Sequence, residues 1–551
     1  MILLDLLIKI TSKNKKNKIV ILSGDEMIRI NSKITLAISL SVFFLGGCLS
    51  DNDDTTIVEI DDVIELITES CAWQGPYVKE NPITNIAYPD AGALYWSLKG
   101  VLPEGATLRL KGKYPQARYF SLNSYKMDGT IMPYHAIKDS DIEPDADQPA
   151  NPYLQGNSRD LDSYYTIGFL PVRDTDDSNA LDGLAENVVG LAIHDSNLYP
   201  EPEAGWAFPT FSTQENGFEL LYRLYLPDEG VDNLGEGGLP QLELDYNGET
   251  YVDQDEICSV LNVTDTTVEV PLIPVASYLG LKALGGVPYG DTPVNTRFFG
   301  GAPYYYDTYD AETYDKTDPA SVTGFTLKAP SEKRSIVFRA SFPLVDILPC
   351  AFLGMCEREK INIPGLYSNK DNSYVSTWLT SDLGDVVVFK GKLPITPSTI
   401  NGAKVTDNDG TQLKYWSMCQ NEFYSQRVVD CVYDEQVLID DNRDYVIVTS
   451  KADNRPANAT KECGYNWIEY PELGDNLSMQ HDTTKLTGQV NNENDAFVIL
   501  RNMSPEPDFT QSTQNIDSFR AEKAVMGDYL PEGEYMSVDD FESLACRIVN
   551  E

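Results

Sequence analysis

Five short blocks of sequence occur twice in this chain of 551 residues, in the same order each time. The block Lys-Gly-Lys-x-Pro closes an apolar run at residues 111–115 and again at 390–394. An aromatic stretch that opens on a basic residue follows each copy, at 118–121 and 414–417. Because such an order rarely recurs by chance, we predict two copies of one β-rich unit. Lys-Gly-Lys is either a hairpin corner, with the glycine at φ > 0, or a pair of ligand-binding lysines.

The other three blocks extend the repeat on the downstream side. Residues 136–142 correspond to 431–437, residues 164–167 to 444–448, and residues 218–227 to 497–505. Upstream, Trp96 and Trp378 occupy similar places. The prediction is therefore a tandem arrangement that extends over most of the chain.

Composition indicates the fold class. Tyrosine is frequent, with 32 copies, Gly and Pro are common, and long stretches of helical period are scarce. These features favour an all-β protein with a few short helices, and the length exceeds what one hydrophobic core usually serves. The predicted segments are a signal region (1–47), a tether (48–74), copy one (75–260), an irregular connecting region (261–370), copy two (371–515) and a tail (516–551). In the tail, Ser537 and Asp540 predict the cap of a short helix.

The N-terminal region has the pattern of a lipoprotein signal. An apolar run at 34–44 is too short to span a bilayer, and Arg29 and Lys33 precede it. It ends in Leu-Gly-Gly-Cys48, which resembles the lipobox of bacterial lipoproteins and implies cleavage before Cys48 and acylation of its thiol. Because Leu49 rather than an acidic residue directly follows Cys48, we expect a lipid anchor in the outer membrane, with the protein facing the periplasm or the cell surface. Met27 offers a second start, with residues 1–26 as an untranslated extension.

Charge limits the partners that the chain can bind. The net charge is −43, and removal of residues 1–47, whose net charge is +4, makes it −47. Such a surface repels phosphate backbones, so we expect no nucleic acid partner, and contact with the membrane only through the lipid anchor.

Cysteine usage fits an oxidising compartment. Nine cysteines leave an even number, eight, once Cys48 is assigned to the lipid, which favours disulfides in an exported chain. We predict that Cys350 pairs with Cys356 across a short loop, and that Cys419 pairs with Cys431 across a hairpin. The pairing of the others stays open at this point: Cys71, Cys258, Cys463 and Cys546.

Several of these blocks resemble a known group of proteins. They are Tyr-Pro-Asp at 88–90 with Trp96, the strand at 118–121, the segment 142–152, the strand at 222–228 and Tyr-Trp-Ser-Met-Cys at 415–419. They resemble an uncharacterised group of bacterial exported lipoproteins with a duplicated β-rich domain of unknown function. The resemblance covers most of 75–545 and implies two tandem jelly-roll-like β-sandwich domains. It implies nothing about whether the protein is an enzyme, and the acidic insertion at 174–182 departs from the group.

Carboxylates are the abundant reactive groups. The three histidines are far apart, and the sequence has no His-Glu-x-x-His, Gly-x-Ser-x-Gly or Walker pattern. The alternation of Asp139, Asp141, Glu143 and Asp145 predicts either a Ca²⁺ site or a solvated acidic loop. A pair of carboxylates at a suitable separation would instead suit glycoside hydrolysis.

Aromatic side chains on the repeated strands suggest a carbohydrate platform. The candidate ligand-binding residues are Trp96, Arg118, Tyr119, Asn123, Tyr415 and Trp416. Cross-strand and core packing is the alternative for these aromatics. We therefore predict an envelope lipoprotein that binds an extracellular carbohydrate-like ligand. The alternatives are a hydrolase of glycans or related polymers with paired carboxylates between the two domains, and a structural surface protein.

Overall fold

The structure is a computed structural model that divides into two units, residues 1–58 and 59–551. It describes residues 20–23, 26–29, 71–81, 84–127, 132–154, 156–157, 162–198, 214–263, 335–336, 338, 340, 367–399, 410–422, 426–472, 494–517 and 521–549. Cys48, Cys350 and Cys356 lie outside these residues, as does the predicted apolar run at 34–44. None of the described helices has the length and apolar character needed to cross a membrane.

The first unit contains a short antiparallel hairpin. Its strands are β1 (Val20–Ser23) and β2 (Glu26–Arg29), and Val20 pairs with Arg29. The hairpin lies inside the predicted signal region.

The second unit is built from β-sheets, which confirms the predicted all-β sandwich class. Its first half, residues 71–263, contains β3 (Gln74–Tyr77), β4 (Ala93–Val101), β5 (Thr107–Lys113), β6 (Ala117–Tyr125), β7 (Pro133–Lys138), β8 (Tyr164–Val172), β9 (Val188–Ala192), β10 (Gly217–Pro227), β11 (Gln241–Tyr246), β12 (Glu249–Tyr251) and the helix α1 (Gln254–Val260). Its second half, residues 335–549, contains β13 (Ser335–Ile336), β14 (Asn372–Thr380), β15 (Val386–Lys392), β16 (Leu413–Asn421), β17 (Val428–Tyr433), β18 (Asp444–Ser450), β19 (Asn466–Glu469), β20 (Asp495–Pro505), α2 (Glu522–Met526), β21 (Glu532–Met536) and α3 (Val538–Glu542).

Each half is a two-layer sandwich. In the first half, an inner sheet of order β3-β4-β10-β6-β7 packs on an outer sheet of order β12-β11-β5-β8-β9. Trp96 and Phe120 from the inner sheet meet Leu110 and Ile167 from the outer sheet in one hydrophobic core. Burial of these large side chains is the main stabilising term of the sandwich.

The second half repeats this layering. Its inner sheet has the order β14-β20-β16-β17, and its outer sheet has the order β13-β21-β15-β18-β19. Trp416 and Leu500 from the inner sheet meet Phe389 and Ile447 from the outer sheet. Strand β13 comes from the predicted connecting region and β21 from the predicted tail, so this sheet extends beyond 371–515.

The central inner strands β6, β10 and β16 are buried on both faces, because the two inner sheets also contact each other. On β6, Phe120 and Leu122 face the core of their own half, whereas Tyr119 packs with Tyr415 of the second half. All nine residues of β6 are buried. The alternation of period two therefore separates an apolar face from a polar face that is covered by protein. We call the contact between the two inner sheets the junction.

The Lys-Gly-Lys glycines lie inside β5 and β15 rather than at hairpin corners, and neither has a positive φ. The expectation of φ > 0 is therefore wrong. Each glycine lies against a tyrosine ring of the neighbouring strand. A Cβ on Gly391 would come within 2.6 Å of the Tyr445 hydroxyl, and Gly112 stands in the same relation to Tyr165. Close approach of the ring is the physical reason for glycine here.

The predicted Ser537 cap and the predicted Cys419–Cys431 disulfide are confirmed. Helix α3 begins after Ser537, whose Oγ accepts the backbone N–H of Asp540 at 3.1 Å. Cys419 and Cys431 are direct partners on β16 and β17 and form a disulfide. The remaining described cysteines pair as Cys71–Cys258 and Cys463–Cys546.

Candidate functional site

The junction is held by ion pairs that are exchanged between the halves. Arg118 is the second residue of β6 and donates from Nη1 to Asp434 Oδ1 and Oδ2 at 2.7 and 2.8 Å. Lys414 is the second residue of β16 and donates from Nζ to Asp139 Oδ1 and Oδ2 at 2.6 and 2.8 Å. Each acid begins a 3₁₀ turn that directly follows β7 or β17. The equivalent cation of each half therefore uses the equivalent acid of the other half.

Further contacts fix these buried charges. Asp434 Oδ2 accepts the N–H of Trp416 at 2.9 Å, and Asp139 Oδ2 accepts the N–H of Phe120 at 3.1 Å. Burial acts to lower the pKa of Arg118, but the Asp434 and Glu435 carboxylates outweigh it, and the pKa is raised. Arg118 therefore stays charged inside the protein, where its charge needs a partner.

Two tyrosines and a pair of arginines make the same kind of exchange between the halves. Tyr119 donates its hydroxyl to Asp371 Oδ2 at 2.6 Å, and Tyr415 donates to Asp90 Oδ1 at 2.8 Å. Arg223 donates to the carbonyl of Tyr367 at 2.6 Å, and Arg501 donates to the carbonyl of Tyr88 at 2.8 Å. Both carbonyls belong to residues with positive φ, 47° at Tyr367 and 56° at Tyr88. At both tyrosines, the less favoured backbone conformation places the carbonyl oxygen where it accepts a hydrogen bond from a buried guanidinium.

Strand register shows how the two inner sheets correspond. Arg223 pairs with Tyr95, and Arg501 pairs with Tyr374. Trp96 therefore corresponds in position to Val375, and the expected match of Trp96 with Trp378 is off by three residues.

The six predicted carbohydrate-binding residues are all buried, Trp96 at 1% exposure and the other five at 0%. Trp96 and Trp416 lie in the cores of their halves. Arg118, Tyr119, Asn123 and Tyr415 are brought together in the junction, where Asn123 accepts the N–H of Lys370 at 3.2 Å. In this structure their side chains contact protein rather than solvent.

The four predicted calcium ligands are separated by their contacts. Asp139 is buried against Lys414, Asp141 and Glu143 are exposed, and Asp145 accepts the Thr166 hydroxyl at 2.9 Å. Within the described residues, the potential metal-ligand atoms of three His, Cys, Asp or Glu side chains come together only at Asp90, Cys419 and Cys431. That group has no free thiols, because the two cysteines form a disulfide.

A pocket opens where the connection between β3 and β4 in the first half meets β17 and β19 of the second half. It has a volume of about 300 Å³. We call it the junction pocket, and its lining residues are Lys79, Glu80, Asn85, Glu422, Arg427, Val428, Val429, Glu469, Pro471 and Glu472. The first three come from the first half and the rest from the second, so the pocket exists only when the halves are together.

Two polar bridges build the wall of this pocket. The Asn85 amide donates to the Val428 carbonyl at 2.8 Å and accepts the Val428 N–H at 2.9 Å, as a paired strand would. Lys79 Nζ donates to Asp430 Oδ1 at 3.2 Å, and Asp430 Oδ2 accepts the N–H of Glu469 at 3.1 Å. These bonds position Glu469 at the end of β19, beside the first half.

Glu469 stands out among the carboxylates of the pocket. Burial raises its pKa above the ordinary value, Asp430 and Glu472 add to the increase, and Lys79 opposes it. Carboxylates with such shifts in clefts are candidates for functional groups. Glu469 was not among the predicted site residues, because it belongs to none of the repeated blocks.

No protein-family model matches the chain, and no curated protein matches it either. Two bacterial proteins of solved structure are similar. An uncharacterised protein from Burkholderia cenocepacia shows 12% identity and a TM-score of 0.33, over 81% of this chain and 82% of its own. The VPA0106 protein from Vibrio parahaemolyticus shows 10% identity and a TM-score of 0.31, over 85% of this chain and 92% of its own.

Proposed function

We propose that this chain is a lipid-anchored protein of the bacterial envelope, built from two copies of a jelly-roll-like sandwich, that binds a carbohydrate-like ligand in the junction pocket. The observation that carries the ligand proposal is a pocket with walls from both halves and several hydrogen-bonding side chains. Its volume of about 300 Å³ lies at the lower end of the range for small-molecule sites and suits about one sugar ring.

The lining supports a polar ligand. Carboxylates such as Glu469 and Glu472 accept hydroxyl hydrogen bonds, and Val428, Val429 and Pro471 add a small apolar surface. Among the described residues of this lining, none is aromatic. Binding would therefore depend on hydrogen bonds, rather than on the stacking platform first expected at Tyr119 and Tyr415.

Binding is tested by calorimetric titration of the whole chain with soluble oligosaccharides. We expect binding that the Glu469→Gln variant weakens at least tenfold, since it replaces a carboxylate at the wall. Glu534→Gln is the matched control, because Glu534 is an exposed carboxylate on the outer strand β21. Absence of any saccharide binding would remove this proposal and leave a structural surface role.

The lipid anchor is tested separately. Cells that express the full chain should incorporate radiolabelled palmitate into it, and Cys48→Ala should abolish the label. Label that persists in Cys48→Ala would contradict acylation at Cys48.

Glycan hydrolysis is a second candidate, and the raised pKa of Glu469 favours it. A general acid must hold its proton near the working pH, and a second carboxylate must serve as base or nucleophile. Glu422 and Glu472 line the same pocket. If the protein hydrolyses glycans, Glu469→Gln should reduce kcat at least a hundredfold while binding remains measurable, and Glu534→Gln should leave kcat unchanged.

A further inference from the structure

We propose that the ligand of the junction pocket carries ammonium groups, so that the pocket takes an amino sugar in preference to a neutral one. This inference rests on the proposed carbohydrate-binding function and names the ligand class within it.

Charge is the first argument. The described residues of the lining include four carboxylates, Glu80, Glu422, Glu469 and Glu472, against two cations, Lys79 and Arg427. Lys79 is itself in an ion pair with Asp430, at 3.2 Å. The pocket therefore has a net negative charge, which a ligand cation would balance and a neutral sugar would leave in place.

The arrangement of the carboxylates distinguishes an ammonium ligand from a bare metal ion. A hard cation needs several oxygens within its coordination sphere. Within the described residues, no three of these pocket carboxylates bring ligand atoms within 4.8 Å of one another. Negative charge that is spread over a pocket of about 300 Å³ fits a larger ligand that carries its positive charge together with hydroxyl groups.

The equivalent positions in the first half are occupied by His135 and Gly190 rather than by carboxylates. The negative charge of the pocket is therefore not a consequence of the fold alone. There, His135 accepts the N–H of Gly190 at 3.0 Å, as Asp430 accepts the N–H of Glu469. A Cβ on Gly190 would meet Leu181 and Tyr134, so this place is covered by apolar groups. The second half has a carboxylate at both corresponding positions, Asp430 and Glu469, beside an open pocket.

Proton release from Glu469 on ligand binding can be measured, and it would not occur if the ligand bound away from this carboxylate. Burial raises its pKa and its neighbours Asp430 and Glu472 add to the increase, so a bound ammonium should lower that pKa and release protons at a pH near the pKa of the free protein. Calorimetric titration in two buffers of different ionisation enthalpy measures this release directly.

The experiment compares three hexasaccharides of the same linkage on the full chain: β-1,4-linked glucosamine, N-acetylglucosamine and glucose. We expect the glucosamine hexamer to bind at least tenfold tighter than the other two, with proton release on binding. The double variant Glu469→Gln/Glu472→Gln should remove most of that preference. Glu534→Gln, the exposed control on β21, should retain it.

Each other outcome overturns the inference in a different way. Equal binding of the three hexamers refutes the amino-sugar preference and leaves the carbohydrate proposal standing. A glucosamine preference that survives the double variant assigns the binding to the acidic surface as a whole. Spermidine is titrated as a fourth compound. If it binds as tightly as the glucosamine hexamer, the pocket selects a polyamine rather than an amino sugar. Failure of every saccharide to bind refutes the proposed function itself.

Discussion

Arg118 and Asp434 lie in opposite halves of the chain, yet the guanidinium of one donates two hydrogen bonds to the carboxylate of the other, at 2.7 and 2.8 Å. Both side chains are fully buried. Removal of one partner would leave the other charge unpaired inside the protein. We expect Arg118→Met to lower the free energy of unfolding by about 3–5 kcal/mol, measured by urea denaturation.

The matched control is Lys390→Met, which removes an ion pair of similar length on the surface. Lys390 and Glu534 are 2.7 Å apart, with side chains 55% and 46% exposed. Its loss should change stability by less than about 1 kcal/mol. Equal effects of the two substitutions would show that the junction pair contributes no more than a surface pair.

Glycine within the Lys-Gly-Lys strands should be irreplaceable for a steric reason. In Gly391→Ala, the new methyl group would approach the buried ring of Tyr445, whose hydroxyl oxygen would be 2.6 Å away. We expect a loss of about 1–3 kcal/mol in the free energy of unfolding, as for other overpacked cores. Gly168→Ala on β8 is the control, because its nearest contact would be 3.7 Å. A Gly391→Ala protein as stable as the Gly168→Ala protein would refute this explanation.

Glu469 should make stability depend on pH. Burial raises its pKa above the unfolded value of about 4.3, so the folded state holds this proton more tightly. Its contribution to stability is therefore greatest below the unfolded pKa and falls as pH rises through the folded pKa. We expect Glu469→Gln to have a higher Tm than the parent at pH 7, with a difference that shrinks toward pH 4. A calorimetric scan that shows the same difference at every pH would argue against this assignment.

Two disulfides should contribute to stability by different amounts. Cys71–Cys258 closes a loop of 187 residues, whereas Cys419–Cys431 closes one of 12. By loop-closure entropy, their removal should cost about 5 and about 3 kcal/mol respectively. The variants Cys71→Ser/Cys258→Ser and Cys419→Ser/Cys431→Ser can be compared by urea denaturation. The reverse order would show that native contacts of the Cys419–Cys431 bridge, such as Arg501 at 3.0 Å, dominate.

Features set by nearby residues were predictable from the sequence. The all-β class, the Ser537 cap and the Cys419–Cys431 pair depend on residues that are close in the chain. The junction was not predictable. The sequence pattern of an inner strand, with alternating apolar and polar residues, is the same whether its polar face contacts water or a second polar sheet. Asp139, for example, suggested a calcium loop, yet its partner is Lys414, which lies 275 residues further along. Glu469 and Lys79 gave no signal because they meet only through the packing of the two halves.

The exchange of partners across the junction also limits how this chain can change. Arg118 is paired with Asp434, and Asp139 with Lys414, so neither of these two ion pairs is completed within one half. A half expressed alone would present an orphaned cation and an orphaned acid to water. A substitution at one of these four positions therefore needs a compensating substitution in the other half, so we expect the paired positions to co-evolve.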